Sequence, residues 1–299
     1  MPRAAIDIGS NSVLLTVIDD DGRLLHDEAR VVGLGRGLGD RGLFAPDRIK
    51  AAEQALSDYV RTAQRLGVEP WAIEAVATSA ARRAMNAQTW FSRVQRRLGL
   101  RIRVVSGDEE ARLTWLGALR ELAVPSGPVL VVDLGGGSTE LVLGEADRVM
   151  QRVSLEIGSV RLTEEFLGPS YGTANPSDLA RMRNHIEVEV AKVDLSPAPR
   201  TVIGVAGTVT TLCAMALGLT SWSAERVHGQ PLTRAELARF VDLLLPLGPD
   251  DRRSAARVSP ERADYLLAGA VVLDRILSVA GRPKLVASDR GLRYGLLAG

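Results

Sequence analysis

The sequence has one cysteine, no long apolar run and almost no net charge, and each absence excludes a class of protein. A single cysteine, Cys213, excludes disulfides within the chain, and its apolar surroundings favour a buried thiol over a nucleophile. The apolar runs fall far short of the about 18 residues that a membrane span requires. With 37 Lys and Arg against 36 Asp and Glu, no basic excess indicates a nucleic-acid partner. The three histidines are scattered without the spacing of a metal site.

The remaining composition is that of an ordinary soluble protein, with 46% hydrophobic and 24% charged residues. A length of 299 residues favours two domains, each with a sizeable core. The start, Met1-Pro2-Arg3-Ala4-Ala5-Ile6-Asp7, enters a strand directly and lacks the apolar segment of a signal peptide. We therefore expect a cytoplasmic protein whose partners include neither a membrane nor nucleic acid.

Residues 129–143 form the most informative stretch of the chain. An apolar strand ends at Asp133, the turn Gly135-Gly136-Gly137-Ser138 follows, and Glu140 opens a second strand. Glycines let backbone N–H groups approach an anion closely, and two carboxylates can hold a hard cation through oxygen. The pattern predicts a metal–phosphate site. The alternative is a simple tight hairpin, which needs fewer glycines.

The first strands of the chain repeat this layout. Asp7 corresponds to Asp133, Gly9 to Gly135, and Ser10-Asn11-Ser12 to Gly136-Gly137-Ser138. A repeat on this scale predicts two similar α/β domains that face a shared cleft, each offering its turn to the phosphates of one ligand. Asn11 and Ser12 are the predicted phosphate donors of the first copy. Chance similarity of two hairpins is the alternative.

Two further segments place charged side chains just beyond predicted strands. Arg82 follows a buried strand over 72–78, where α/β folds place ligand contacts, and a guanidinium can grip a phosphate with two hydrogen bonds. Ser106 and Glu109 form a capping box that opens a helix, which leaves Glu110 free in the first turn as a candidate base. A solvated Arg82 and a merely stabilising Glu110 are the alternatives. A second capping box is predicted from Thr233 to Glu236.

The connector Val124-Pro125-Ser126-Gly127-Pro128 is short and rigid, so it predicts a boundary between domains 1–124 and 125–299. The last helix, about 288–299, is a candidate to pack back on the first domain. Gly207 and Thr208 start a helix directly after a buried strand, where free N–H groups bind anions. Small residues there serve close helix–strand packing equally well.

Five motifs, taken together and in order, resemble the exopolyphosphatase / guanosine pentaphosphate phosphatase family over essentially the whole chain. They are Asp7-x-Gly-Ser-Asn-Ser12, Ala77-Thr78-Ser79-Ala80-x-Arg82, Gly107-x-Glu-Glu-Ala-Arg112, Asp133-x-Gly-Gly-Gly-Ser-Thr-Glu140 and Ser288-x-x-Gly-x-Arg-x-Gly295. The resemblance implies an α/β fold of two duplicated actin-like, ribonuclease-H-like domains, with the active site in the cleft between them.

The resemblance also implies roles for the candidate residues. Glu110 becomes the expected general base, Arg82 a phosphate clamp, and Asp133 and Glu140 the Mg²⁺ carboxylates, with Glu140 counted among the catalytic residues. Asp7, the counterpart of Asp133, is a further predicted metal ligand. The predicted phosphate contacts are Asn11, Ser12, Gly135, Gly136, Gly137, Ser138, Gly207 and Thr208.

The preferred function is a magnesium-dependent hydrolase that removes the terminal phosphate of inorganic polyphosphate, with guanosine pentaphosphate as the alternative substrate. A sugar or acid kinase of the same superfold is one rival, and the helix start at Glu109-Glu110 argues against it. A non-catalytic sensor of guanosine polyphosphates is the other, and the presence of a base and of cleft carboxylates argues against that. Apolar helices near 260–280 offer a surface for an expected homodimer.

Overall fold

The computed structural model of the protein describes residues 1–38, 42–146, 148–167, 174–257 and 259–298. These residues form two compact units. The first comprises Met1–Gly117 and the residues from Leu292 on, and the second comprises Ala118–Gly291. The predicted domain boundaries, 1–124 and 125–299, lie slightly later in the chain and stay a prediction.

The first unit contains a five-stranded sheet with helices on both faces. Its strands are β1 (Arg3–Ile8), β2 (Ser12–Ile18), β3 (Leu24–Val31), β4 (Glu74–Ala77) and β5 (Ile102–Val104). Its helices are α1 (Pro46–Arg65), α2 (Ser79–Arg83), α3 (Ala87–Leu98), α4 (Gly107–Ala118) and, from the end of the chain, α12 (Leu292–Leu296), with a 3₁₀ turn at Pro70–Ala72.

The second unit contains a six-stranded sheet. Its strands are β6 (Val129–Leu134), β7 (Thr139–Glu145), β8 (Arg148–Leu155), β9 (Thr201–Val205), β10 (Pro231–Thr233) and β11 (Lys284–Ala287). Its helices are α5 (Ser159–Phe166), α6 (Pro176–Val190), α7 (Ala206–Ala216), α8 (Ala224–Val227), α9 (Arg234–Leu244), α10 (Pro249–Ala255) and α11 (Ala263–Val279), with a 3₁₀ turn at Pro260–Arg262.

The two sheets share one topology. The first has the order β3-β2-β1-β4-β5 and the second the order β10-β11-β9-β6-β7-β8. In each, three consecutive antiparallel strands are followed by parallel partners on the other side of the first strand. Strands β6, β7, β8, β9 and β11 therefore correspond to β1 to β5. The predicted α/β class with duplicated organisation is confirmed, and β10 is an addition to the second copy.

The strand sequences explain which faces are covered. In β1, Ile6 and Ile8 belong to one cluster of buried side chains while Ala5 belongs to another, because successive residues of a strand point to opposite faces. Strand β6 is buried along nearly its whole length, as expected of a strand with parallel and antiparallel neighbours and covered faces. Strand β8 alternates exposed and half-buried residues, as an edge strand with one solvated face does.

Helix α12 completes the first unit. Leu292, Leu296 and Leu297 share a buried cluster with Leu113 of α4 and with residues of β1, β2 and β4. Gly295 lies directly against the backbone carbonyl of Leu113, so closely that a Cβ at this position would overlap the carbonyl oxygen. The approach of α12 to α4 thus requires glycine at this position.

No helix in the described ranges combines the length and the apolar composition that crossing a bilayer requires.

Replacing Gly295 with Ala forces α12 away from α4, because the obstructing atom is backbone rather than a flexible side chain. We expect Gly295→Ala to lower the free energy of unfolding by about 1–3 kcal/mol, the usual cost of overpacking. Urea denaturation of both proteins measures the difference. Gly248→Ala is the matched control, since a Cβ there meets no atom within 4 Å, and its effect should stay within about 0.5 kcal/mol. Equal stability of the two variants would contradict the close packing.

Candidate active site

In the first unit, the candidate residues gather at the carboxyl ends of three neighbouring strands. Strand β4 lies between β1 and β5 and runs parallel to both, so their carboxyl ends meet at one edge of the sheet. Asp7 lies near the end of β1, Arg82 lies on α2 after β4, and Glu110 lies on the first turn of α4 after β5. This edge is where open α/β sheets bind ligands.

Glu110 and Arg82 form an ion pair within this group. Arg82 Nη1 donates to Glu110 Oε2 at 2.6 Å and to the carbonyl oxygen of Val105 at 3.0 Å. Glu110 is only 6% exposed. The Glu109 N–H donates to Ser106 Oγ at 3.1 Å, as the predicted cap requires, but the Glu109 carboxylate accepts from Arg103 at 2.5 Å. Glu110 is therefore a buried carboxylate held by an arginine, and the expectation of a free first-turn carboxylate is wrong.

The environment of this carboxylate raises its proton affinity. Burial raises the pKa of Glu110, while the charge of Arg82 and hydrogen bonds from Arg82 and Thr78 oppose the change. Burial likewise raises the pKa of Asp7 to about 7, with a further contribution from the nearby Glu110 charge. A carboxylate whose pKa lies nearer neutrality accepts a proton more readily, which suits a general base.

Arg293 from helix α12 supplies the opposing charge next to Asp7. Its Nε donates to Thr16 Oγ1 at 2.5 Å and to Asp27 Oδ1 at 3.0 Å, and its Nη2 donates to Asp27 Oδ2 at 2.8 Å. The Arg293 charge lowers the pKa of Asp7, against the larger effect of burial. Oδ1 of Asp7 is buried, and no residue in the described part of the chain forms a hydrogen bond with it, so this oxygen can still accept one.

In the second unit, Asp133 and Glu140 face each other across β6 and β7. They are direct partners in the antiparallel register, so their side chains leave the same face of the sheet at close spacing. Glu140 is 6% exposed and accepts a hydrogen bond from Ser154 Oγ at 2.8 Å. The predicted pair of carboxylates is thus assembled by strand register alone.

Other acidic groups lie elsewhere. Within the described ranges, three carboxylates whose oxygen atoms lie within 4.8 Å of one another occur at Asp19, Asp20 and Asp21, in the turn after β2.

The two predicted turns, residues 9–12 and residues 135–138, have the same hydrogen bond. The Gly9 N–H donates to the Ser12 carbonyl at 2.9 Å, and the Gly135 N–H donates to the Ser138 carbonyl at 3.0 Å. Asp7 is paired with Leu14 in register where Asp133 is paired with Glu140. The repeat is therefore real in backbone geometry, but the first copy has leucine in place of the second carboxylate.

The carbonyls of Gly135 and Gly136 are fixed by helix α5. The Ser159 N–H donates to the Gly135 carbonyl at 3.0 Å, and the Val160 N–H donates to the Gly136 carbonyl at 2.9 Å. Gly158 lies so close to Gly136 that a Cβ would overlap its carbonyl. Within the described ranges, no backbone hydrogen bond uses the N–H groups of Gly136, Gly137 and Ser138.

These three N–H groups of the second turn are therefore available donors for an anion.

The small residues at the start of helix α7 allow close packing. A Cβ on Gly207 would overlap the guanidinium of Arg262. The absence of a side chain at Gly207 therefore lets this guanidinium pack beside the start of the helix. Thr208 is 8% exposed, packs its methyl group on Gly269, and contacts Ser159 Oγ through Oγ1 at 3.4 Å. Ala206 precedes them with φ of +74°, a strained conformation for a residue with a side chain.

Four residues that interact with predicted site residues were not themselves predicted. Thr78 and Arg293 belong to the first unit, and Arg161 and Arg262 belong to the second. Arg293 stands in a family motif, and Thr78 in another, so the resemblance contained a signal for both. Arg161 and Arg262 lie in helical or turn segments whose local pattern indicates nothing about a site. Arg161 contacts the second turn 24 residues earlier in sequence, and Arg262 contacts Gly207 from further away still, so both contacts are beyond the reach of local patterns.

We expect Asp7→Asn to stabilise the protein at pH 8 in metal-free buffer. The folded state raises the pKa of Asp7 from 3.8 to about 7, so the folded state binds the proton more tightly, and stability falls as pH rises through this range. The full penalty, up to about 4 kcal/mol, is present above pH 7 and shrinks toward pH 4. Unfolding by urea from pH 5 to pH 8 measures it. A variant with the same pH slope as the parent protein would contradict this account.

Comparisons with known proteins agree with the family resemblance. The sequence model of the Ppx/GppA phosphatase family matches residues 16–299. Exopolyphosphatase 2 of Mycobacterium tuberculosis is 37% identical over 98% of this chain and 96% of its own length.

Comparison with solved structures identifies the same family. The crystal structure of the Aquifex aeolicus Ppx/GppA family member is 35% identical, with a TM-score of 0.81, and the match covers 99% of this chain and 96% of that one. An exopolyphosphatase-like protein of known structure is 31% identical, with a TM-score of 0.91 and coverage of 99% and 98%. The predicted fold class is that of these structures, and the chain belongs to the Ppx/GppA phosphatase family.

Proposed function

We propose that this protein is an exopolyphosphatase that hydrolyses the terminal phosphoanhydride bond of inorganic polyphosphate. The observation that carries the proposal is the Glu110–Arg82 pair, a buried carboxylate with a raised pKa next to a guanidinium at the carboxyl edge of the sheet. The similarity to exopolyphosphatase 2 of Mycobacterium tuberculosis supports the substrate class.

In this proposal Glu110 is the general base. Its carboxylate accepts a proton from a water molecule while the water oxygen attacks the terminal phosphorus atom. The bond between that phosphorus and the bridging oxygen breaks, and the electron pair leaves with the shortened polyphosphate chain. Because Glu110 must be ionised to accept the proton, activity should rise with pH through its raised pKa.

Cations and N–H groups offset the negative charge that develops on the phosphoryl group. Arg82 presents a guanidinium beside the base, and its side chain is 29% exposed, so donors remain for a phosphate oxygen. In the second unit, the N–H groups of Gly136, Gly137 and Ser138 are the proposed phosphate donors. Such preorganised donors are the main means by which phosphoryl transfer is accelerated. Asn11, Ser12, Gly207 and Thr208 remain further proposed contacts.

The carboxylates of each unit suit a hard divalent cation. In the second unit, Asp133 and Glu140 are adjacent on one face of the sheet. In the first unit, no described residue forms a hydrogen bond with the buried Oδ1 of Asp7. Carboxylate oxygens are the ligands that Mg²⁺ prefers. We propose that Asp133 and Glu140 hold Mg²⁺, which when bound would neutralise charge on phosphate oxygens. Asp7 stays a predicted further ligand.

Polyphosphate is preferred over guanosine pentaphosphate because all the groups described for the site recognise phosphate or a cation rather than a base. Guanosine pentaphosphate also ends in a phosphoanhydride and is the alternative outcome of the activity test. The homodimer and the cytoplasmic location stay predictions.

We expect Glu110→Gln to abolish the chemistry while the substrate still binds. The amide is isosteric and cannot accept the proton, so kcat should fall by about 10²–10⁴. Phosphate release from short polyphosphate, long polyphosphate and guanosine pentaphosphate, each with Mg²⁺, measures the effect. Glu109→Gln is the matched control, because this neighbour pairs with Arg103 instead of Arg82. Its kcat should stay within about threefold of the parent value.

Equal activity of Glu110→Gln and the parent protein would exclude Glu110 as the base. Release from guanosine pentaphosphate alone would assign the nucleotide as substrate. Binding of all three compounds without any release would indicate a sensor.

We expect Glu140→Gln to raise the Mg²⁺ concentration needed for half-maximal activity by tenfold or more. Losing even an outer-shell partner of a metal ligand commonly costs about 10–100-fold in affinity, and this variant removes a charged ligand itself. A Mg²⁺ titration of phosphate release measures the shift. Glu145→Gln, at the exposed end of the same strand, is the control and should leave the titration unchanged. Activity that survives EDTA in the parent protein would contradict a metal requirement.

A further inference from the structure

The two turns differ in how their third carbonyl is held. In the first turn, the carbonyl of Asn11 accepts hydrogen bonds from the backbone N–H groups of Val32 and Gly33, both at 2.9 Å. The corresponding carbonyl of the second turn is that of Gly137. It accepts from a side chain, because Arg161 Nε donates to it at 2.8 Å.

Arg161 is well placed for this contact. It lies on the first turn of helix α5, and its own N–H donates to the Gly136 carbonyl at 3.0 Å. Its Nη2 forms an ion pair with Glu156, and its side chain is 29% exposed. The planar guanidinium can donate from Nε and from Nη2 in different directions, so Glu156 fixes the plane while Nε binds the turn.

Because the peptide group is planar, this contact also sets the direction of an N–H group. In a trans peptide the C=O of one residue and the N–H of the next lie in one plane and point in opposite directions. The hydrogen bonds to the carbonyls of Gly135 and Gly136 thus orient the N–H groups of Gly136 and Gly137. By the same rule, the hydrogen bond from Arg161 orients the N–H of Ser138.

Glycine makes this control necessary. Three consecutive glycines have access to many backbone conformations, so an unrestrained turn would present its donors in many directions. The first turn has one glycine in the corresponding four positions, and its Ser10 and Asn11 carbonyls accept from backbone N–H groups. The second turn has three glycines, and two side chains of α5 also bind it. Ser159 Oγ donates to the Gly135 carbonyl at 3.3 Å, and Arg161 Nε donates to the Gly137 carbonyl.

We infer that Arg161 is a positioning residue for phosphate binding. It does not contact the substrate, and it holds the Gly137 carbonyl so that the Ser138 N–H faces the phosphate. The inference rests on the proposed function, since it takes the N–H groups of the second turn to be phosphate donors.

The test measures binding separately from turnover. Arg161→Met retains the side-chain stem but removes the donor, and it is combined with Glu110→Gln so that tripolyphosphate is not consumed. Calorimetry with tripolyphosphate and Mg²⁺ should give a Kd about tenfold higher than that of Glu110→Gln alone, the value expected for one lost hydrogen bond to a charged group. Arg161→Lys, which can still donate to the carbonyl, should recover part of the affinity.

Arg234→Met is the matched control, because Arg234 also begins a helix of the second unit and pairs with a carboxylate, Asp274, but does not contact the turn. Its Kd should equal that of Glu110→Gln alone. In the Glu110-containing protein, Arg161→Met should raise KM more than it lowers kcat, whereas loss of folded protein would lower the apparent kcat at unchanged KM.

Equal Kd values for Arg161→Met and Arg234→Met would overturn the inference, as would a change confined to the apparent kcat. If Glu110→Gln proves fully active, the proposed base is wrong. The effect of Arg161 on KM then still tests the positioning role.

Discussion

Hydrogen bonds to the carbonyls of two tight turns are the constraint on which the rest of the candidate site depends. Residues 9–12 and 135–138 each follow an aspartate at a strand end, and in both turns later segments of the chain hold the carbonyl oxygens. In the first copy these segments are residues 32–35, and in the second they begin helix α5. Because the peptide groups are planar, carbonyls that are held from behind leave the N–H groups facing the other way. The first N–H groups of α5 are thereby used within the protein, and the second turn presents its own donors instead.

Burial of charge is the complementary constraint in the first unit. Burial raises the pKa of both Asp7 and Glu110, and the nearby charge of Glu110 adds to the effect on Asp7. Arg82 and Arg293 offset part of this cost from different elements. Removing one partner from such a buried group leaves the other uncompensated, which is why the four charges act as a set. The proton affinity of Glu110 is therefore a property of the assembled edge of the sheet.

Features encoded by local pattern could be predicted from the sequence, and features made by distant packing could not. The capping box at Thr233 and Glu236 forms as its spacing predicts, with both reciprocal hydrogen bonds. The repeat predicted from Asp7 and Asp133 is present in the strand register and in the turns. Glu109 shows the limit, because its carboxylate binds Arg103 once strand β5 is folded beside it. A spacing rule describes the helix start alone and contains no information about that strand.

The close contacts that require glycine could not be predicted from the sequence either. Gly158, Gly207 and Gly295 each face an atom that a Cβ would overlap: a carbonyl of the second turn, the guanidinium of Arg262 and the carbonyl of Leu113. A glycine has the same appearance in sequence whether it serves a turn, a cap or a close approach. The partner distinguishes these cases, and the partner is known only after the fold is known.

The first unit is built from two segments that are far apart in sequence, and this affects the order in which the protein folds during synthesis. The sheet of this unit is made from the first 104 residues or so, but Leu292, Arg293 and Leu296 leave the ribosome only after the whole second unit has been translated. Until then Thr16 and Asp27 lack the guanidinium that binds them, and the face of the sheet beside Leu113 lacks its apolar cover. The nascent first unit is therefore an incomplete domain until the residues from Leu292 on, which follow the whole second unit in sequence, pack against it.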